Sequence, residues 1–275
     1  MGLQIATNVG ALNAYRNLSA NQNDVSKSLE KLSSGLRINR AADDAAGLAI
    51  SEGLRAQVNG LNVAARNAQD GISVIQTAEG ALTEVHSILQ RVRDLAVQAG
   101  NDSNNADSRA AIKTEIDALG DELTRVAEST NFNGIKLLNG DNASLTFQVG
   151  AGSTAAEDQI AVTLTDFSTL GADIKALTVD TAANALTSIA SIDTEITAVS
   201  TARAGYGAAQ NRFESTINSL QVSAENLAAA KSRIADTDMA AEMVRYTASN
   251  ILQQAGTAML AQANQSGQGV LQLLR

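Results

Sequence analysis

From residue 8 to 36, apolar positions recur in alternating three- and four-residue steps: Ala11, Tyr15, Leu18, Val25, Leu29, Leu32 and Leu36, with Asn8 and Gln22 as polar interruptions. This spacing predicts a long helix carrying a heptad-like stripe. A second helix is predicted from about Asp43 to Gln98, and its later part sets Ala78, Ala81, Val85, Ile88, Val92, Leu95 and Ala99 on one face. The segment GNDSNNADS at 100–108 has turn chemistry. A third helix follows with Ile112, Ile116, Leu119, Leu123 and Val126 in register.

The period then changes. NFNG and LLNGDN mark turns, after which Leu145, Phe147 and Val149, and later Ile160, Val162 and Leu164, alternate with polar residues. Alternation of period two with a glycine-rich connection predicts a β-hairpin within about 141–176. Helical spacing returns near Thr181. Ala185, Ile189, Ile192, Ile196, Val199, Tyr206, Phe213, Ile217, Leu220, Ala224, Leu227 and Ile234 keep four–three steps, interrupted by Arg203, Gln210 and Lys231. A helix of about 50 residues is roughly 75 Å long at 1.5 Å per residue. The predicted fold class is mainly α: a long antiparallel helical bundle or coiled coil built from the N- and C-terminal arms, with a small β-hairpin region in the middle.

Composition supports long uninterrupted helices, because the 275 residues include no proline and are rich in alanine. There is no cysteine, so disulfides and thiolate metal sites are excluded. The net charge of −9 argues against a nucleic-acid or anionic-membrane partner, which would call for a basic stripe. No segment reaches the roughly 18 apolar residues of a membrane span. The first fifteen residues contain no Lys or Arg and lead into no apolar core, unlike an ordinary secretory signal.

Both ends are uncharged: residues 1–15, and 246–274, contain no Asp, Glu, Lys or Arg. Amides such as Asn250, Gln253, Gln254, Gln262, Asn264 and Gln265 make them too polar for lipid, while Val244, Ala248, Ile251, Ala255 and Ala258 keep four–three spacing. Helices of this kind suit burial between many copies, with the ends folding on assembly. The expected organisation is 1–42 with 236–275 as a terminal-helix domain and 43–235 as a core domain. SSGLRINRAADDAAGLAIS, residues 33–51, forms the joint, with Asp43 or Asp44 as N-cap of the second helix and Arg37 and Arg40 free to meet acids of a neighbouring subunit or solvent.

Catalytic chemistry has little support. His86 is the one histidine, no phosphate-binding G-x-x-x-x-G-K occurs, and Gly150-Ala151-Gly152 reads as a hairpin connection. Asp43 and Asp44 are adjacent, and neighbours on a helix point about 100° apart. One His and scattered acids make a poor metal site, so no cofactor or metal is expected. Arg91 and Leu95 stand i, i+4 on one helix face, consistent with a core leucine beside a solvated arginine. The sequons Asn101-Asp-Ser103 and Asn142-Ala-Ser144 fit chance occurrence.

SSGLRINRAADDAAGLAIS resembles the N-terminal signature of bacterial flagellin. So do LQRVRDLAVQA (89–99), STNFNGIKLLNG (129–140), GAAQNRFESTI (207–217), SRIADTDMAAE (232–242), ILQQAGTAMLAQANQ (251–265) and the closing VLQLLR, in family order. Only a short middle separates the arms, so the variable outer domains of longer flagellins are missing. The resemblance implies a secreted, extracellular structural subunit, exported unfolded and self-assembling into the flagellar filament for motility, with paired terminal helices lining its channel. It also implies an export chaperone and cap and junction proteins as partners. A host Toll-like receptor is implied too, contacting residues that match Arg91, Leu95 and Glu115 on a surface shared with the next subunit of a protofilament. Asp94 stands where a Glu is common in the receptor-active type. Val244, Ala248, Ile251, Ala255 and Ala258 are the expected polymerisation seam. A hook–filament junction protein with flagellin-like ends is the alternative; an enzyme or a coiled-coil signalling module fits the uncharged ends less well.

Overall fold

The computed structural model describes residues 8–273, with side chains described for 8–265. Residues 1–7 of the uncharged N-terminus and the side chains of VLQLLR lie outside that range. Helix α1 (Val9–Ser34) starts where the Asn8 side chain accepts the Ala11 N–H at 3.0 Å. It stops at Gly35, whose φ of 72° lies in the left-handed region that glycine enters without steric cost. The Gly35 N–H closes the last turn on the Lys31 carbonyl at 2.8 Å.

The joint that follows is tied down inside the chain. Arg37 donates from Nε (3.1 Å) and Nη2 (2.6 Å) to the Ile234 carbonyl, and Arg40 pairs with Glu30 at 2.9 Å. Both arginines thus have partners within their own subunit while their side chains stay exposed, at 47% and 71%. Helix α2 (Ala45–Ala99) begins on Asp44, whose carboxylate accepts the Gly47 N–H at 2.8 Å. Asp43 instead accepts the N–H groups of Arg40 and Asn39, which hold its carboxyl below the usual range.

Helix α3 (Ala106–Ser129) is capped by Asn105, which accepts the Ser108 N–H at 2.8 Å. Strands β1 (Asn131–Phe132) and β2 (Ile135–Lys136) pair antiparallel across Asn133 and Gly134, with φ of 50° and 82°. Positive φ at both central positions is the requirement of a type I′ hairpin turn. The main hairpin joins β3 (Ser144–Gln148) to β4 (Gln159–Thr163), with Leu145 opposite Val162 and Phe147 opposite Ile160. A four-residue helix, α4 (Ala155–Asp158), lies between the two strands. The predicted hairpin region of about 141–176 was too broad, since Leu170–Ala176 forms helix α5. The two long closing helices are α6 (Ala182–Ala235) and α7 (Met239–Leu273).

The chain divides into two compact units, 57–225 and 1–56 with 226–275. These bounds run further into α2 and α6 than the joints at Gly35 and Asp236. In the central unit the predicted faces of α2, α3 and α6 meet in one core that includes Leu82, Leu89, Val92, Ile116, Leu123, Ile192, Val199 and Phe213. The Phe147 ring meets Phe213 edge-to-face at 5.5 Å and 87°. Gly71 leaves the space that Phe213 occupies: a Cβ there would lie 2.9 Å from the ring.

The terminal unit packs differently. On α1 the shielded positions are Ala11, Ala14, Leu18, Asn21, Val25, Ser28 and Leu32. Tyr15 and Leu29, predicted for the seam, are exposed instead, because α1 meets its partner on smaller and more polar residues. The partner is α7. Asn8 donates to the Ala263 carbonyl at 3.0 Å, and a Cβ on Gly256 would lie 3.3 Å from Leu18 Cδ1.

Candidate assembly and recognition surfaces

Helix α7 has two unlike faces. The shielded one carries Glu242, Tyr246, Ser249, Gln253, Gly256, Leu260 and Ala263 in four–three steps. Small side chains at Ser249, Gly256 and Ala263 are interspersed with Tyr246, Gln253 and Leu260, and at Gly256 Leu18 of α1 comes close. At 100° per residue, Val244, Ala248, Ile251, Ala255 and Ala258 lie about 150° away from that face. All five are exposed, Val244 at 71% and Ile251 at 61%. Met243, Leu252 and Met259 flank them, also exposed. An amphipathic helix ordinarily turns its apolar face inward; here the more apolar face of α7 points out. The sequence signal for the shielded face was present, since it has the same spacing in another phase, but amides and glycine do not register as a hydrophobic stripe.

The second surface lies on the central unit. Arg91 on α2 and Glu115 on α3 form an ion pair: Nε and Nη2 donate to the same carboxylate oxygen at 3.0 and 2.7 Å. The pair remains open to solvent, at 58% and 45% side-chain exposure. Exposed pairs of this kind contribute at most about 1 kcal/mol, so its main consequence is to present a fixed, oppositely charged couple. Leu95 is not beside it on the surface. At 2% exposure it belongs to the core, and its i, i+4 relation to Arg91 places it beneath that arginine's helix face. In the free subunit Leu95 therefore presents almost no surface of its own. Nearby, Arg93 is held on Asp193 at 2.6 Å, a hydrogen bond that raises the guanidinium pKa further.

Among the described residues no group of three or more His, Asp or Glu side chains converges as a metal site. His86 shares Nε2 with the Gln90 amide at 2.9 Å, and its Nδ1 is buried without a partner. No described helix is long and apolar enough to cross a membrane.

Comparison with known proteins decides the family. The model of the bacterial flagellin N-terminal helical region matches residues 5–143, and that of the C-terminal helical region matches 189–274. The chain belongs to the bacterial flagellin family. It is 53% identical to a flagellin of Halalkalibacterium halodurans over 268 residues, covering 98% of both chains. The crystal structure of Bacillus cereus flagellin is similar over 60% of this chain and 94% of its own, with a TM-score of 0.50 and 34% identity. A structure described as a flagellar hook-associated protein from Vibrio parahaemolyticus covers 70% of this chain and all of its own at a TM-score of 0.59. At 14% identity that likeness shows the fold alone, and it lends no weight to the junction-protein alternative. As a flagellin, the chain is a structural protein and not an enzyme; it polymerises with itself as a subunit of the extracellular flagellar filament.

Proposed function

We propose that the two ends, 1–42 and 236–275, act as the inner assembly domain of the filament, with Val244, Ala248, Ile251, Ala255 and Ala258 as the seam buried between copies. The supporting observation is the outward apolar face of α7: it is helical, periodic and left without cover in the single subunit. An apolar face of this length contributes roughly 25 cal/mol per Å² once removed from water. The test is electron microscopy of concentrated purified protein with and without short filament seeds. Long tubes are expected; their absence under every salt condition would count against assembly through these ends.

The free subunit is the form proposed to meet a flagellin-sensing Toll-like receptor, through the Arg91–Glu115 couple with Leu95 fixing the face beneath. The same surface would contact the next subunit along a protofilament, so polymer should not be recognised. An export chaperone for the uncharged ends and cap and junction proteins at the filament tip complete the proposed partners. A reporter-cell assay separates receptor contact from assembly: Arg91→Ala and Glu115→Ala should lower signalling by monomer while leaving its thermal melt unchanged.

A further inference from the structure

Methionine is among the side chains most often buried in folded proteins, yet the described methionines of this chain are all exposed and share one helix. Met239, Met243 and Met259 lie on α7, at 47%, 51% and 68% exposure. The fourth, Met1, lies outside the described residues. Met243 and Met259 each stand eight residues from Ile251, so at 100° per residue they lie about 80° round the helix from it, on opposite sides. Val244, Ala248, Ala255 and Ala258 fall between them. The two methionines are thus the rims of a sector about 160° wide, and between Met243 and Met259 no Asp, Glu, Lys or Arg falls within it.

The polar members of that sector are occupied inside the helix. The Thr247 hydroxyl donates to the Met243 carbonyl at 2.8 Å, and the Gln254 amide donates to Asn250 Oδ1 at 3.1 Å. Methionine at the rims suits a face that must meet several neighbours, because its unbranched, polarizable side chain fills irregular gaps. The same thioether is open to chemistry until the face is covered. With no cysteine in the chain, thioethers are the only sulfur it offers to a peroxide. Met239 supplies an internal comparison: it is about as exposed as Met243 but stands about 120° from Ile251, outside the sector.

We propose that Met243 and Met259 are oxidation sites of the free subunit, and that hydrogen peroxide acting there withdraws the subunit from polymerisation. This rests on the reading of the outward α7 face as the seam buried between copies, and adds to it a modification that the closed seam does not tolerate. The sulfur lone pair attacks one peroxide oxygen and the O–O bond breaks. The departing hydroxide takes the proton of the new S–OH group and leaves as water. Sulfur gives up two electrons and the peroxide accepts them. The apolar thioether becomes a polar sulfoxide. In the free subunit water satisfies its oxygen. Once the seam closes over the rims, that oxygen is an acceptor withdrawn from water into an apolar sector, which is unfavourable without a donor to replace it.

The test is seeded polymerisation of the full-length protein after the free subunit has been treated with hydrogen peroxide, with peptide mass spectrometry to locate the added oxygen. Oxygen is expected at Met239, Met243 and Met259, with the melt of the subunit unchanged and about tenfold more subunit needed for polymerisation. Met243→Leu combined with Met259→Leu conserves volume and apolarity and leaves Met239 oxidisable, so this double variant should polymerise alike before and after peroxide. Methionine sulfoxide reductases reverse the modification and should return the oxidised parent to its original threshold, a readout that does not depend on the variant. In assembled filaments Met243 and Met259 should take up oxygen more slowly than in the subunit. Four results overturn the proposal: an oxidised parent that polymerises at the untreated concentration, an equal loss in the double variant, no recovery with the reductases, or equal oxygen uptake in filament and subunit. An untreated parent that never polymerises overturns the seam reading itself, before any oxidant is added.

Discussion

Phe213 illustrates how few aromatics this core can spare. It is completely shielded, stacked edge-on against Phe147 and seated over Gly71. Phe213→Ala is expected to destabilise the central unit by about 3–5 kcal/mol, since the rigid helices around it cannot collapse into the void. A chemical-denaturation midpoint would read this directly. Glu195 on α6 has the opposite character, because its charge works against the fold. Burial, and then the nearby Asp173 carboxylate, raise its pKa above the usual Glu value. A raised carboxyl pKa means that the folded state holds the proton more tightly, so its stability contribution is full in acid. It is lost as pH rises from the unfolded pKa through the folded one. Glu195→Gln, which mimics the protonated form, should therefore raise the melting temperature at neutral pH. The gain should vanish below about pH 4, where the wild-type group is protonated in both states.

At the scale of elements, α7 carries the sharpest expectation. Ile251 is exposed on the face opposite Tyr246, Gln253 and Leu260. Ile251→Asp should leave the melt of the free subunit unchanged, because the carboxylate stays in water there. In the polymer an unpaired charge costs several kcal/mol per subunit, so seeded assembly should stop while receptor signalling by monomer survives. Normal polymerisation of the variant would remove Ile251 from the seam; an early melt would mean that this face packs within its own subunit. The contrast with α6 explains how far the sequence could be read. On α6 every apolar four–three position from Ala185 to Ile217 is shielded, because that face meets one core. The β3–β4 alternation was legible for the same reason. On α1 the larger apolar residues Tyr15 and Leu29 face outward while Asn21 and Ser28 turn inward. Periodicity finds the most hydrophobic stripe, and a helix made for several partners need not show that stripe to its own chain. The Arg91–Glu115 couple was likewise beyond spacing alone, because its members lie on different helices.

For the whole molecule, the unequal cores of the two units set the order in which parts come apart. The central unit buries nearly the entire apolar cluster, whereas among the described residues of the terminal unit only Ile38 and Ala235 are fully buried hydrophobics. A buried aliphatic side chain stabilises by about 1.5–3 kcal/mol, and ordering each residue costs about 1–2 kcal/mol of backbone entropy. Only Ile38 is such a side chain, and Ala235 adds one methyl group. The seam between α1 and α7 is half-buried and mixes Leu18, Val25, Leu32, Tyr246 and Leu260 with alanine, serine and amides, so the terminal unit has far less than the central one to set against the ordering of its helices. Isolated helices are themselves marginal in water. The helices of the terminal unit are therefore expected to open and close in the free subunit and to become stable when other copies cover Val244, Ile251 and their neighbours. Amide hydrogen exchange followed by mass spectrometry measures this element by element. In the subunit, peptides spanning Ala14 to Ser28 and Tyr246 to Ala263 should exchange within seconds, while those around Leu89 and Phe213 remain protected for hours. In the filament all four regions should be protected. Limited proteolysis should agree, trimming both ends of the monomer and sparing a fragment that contains 57–225. Protection of Tyr246 in the monomer equal to that of Phe213 would show that α1 and α7 are stable without assembly. Their half-buried seam would then hold more of the fold than its buried area suggests.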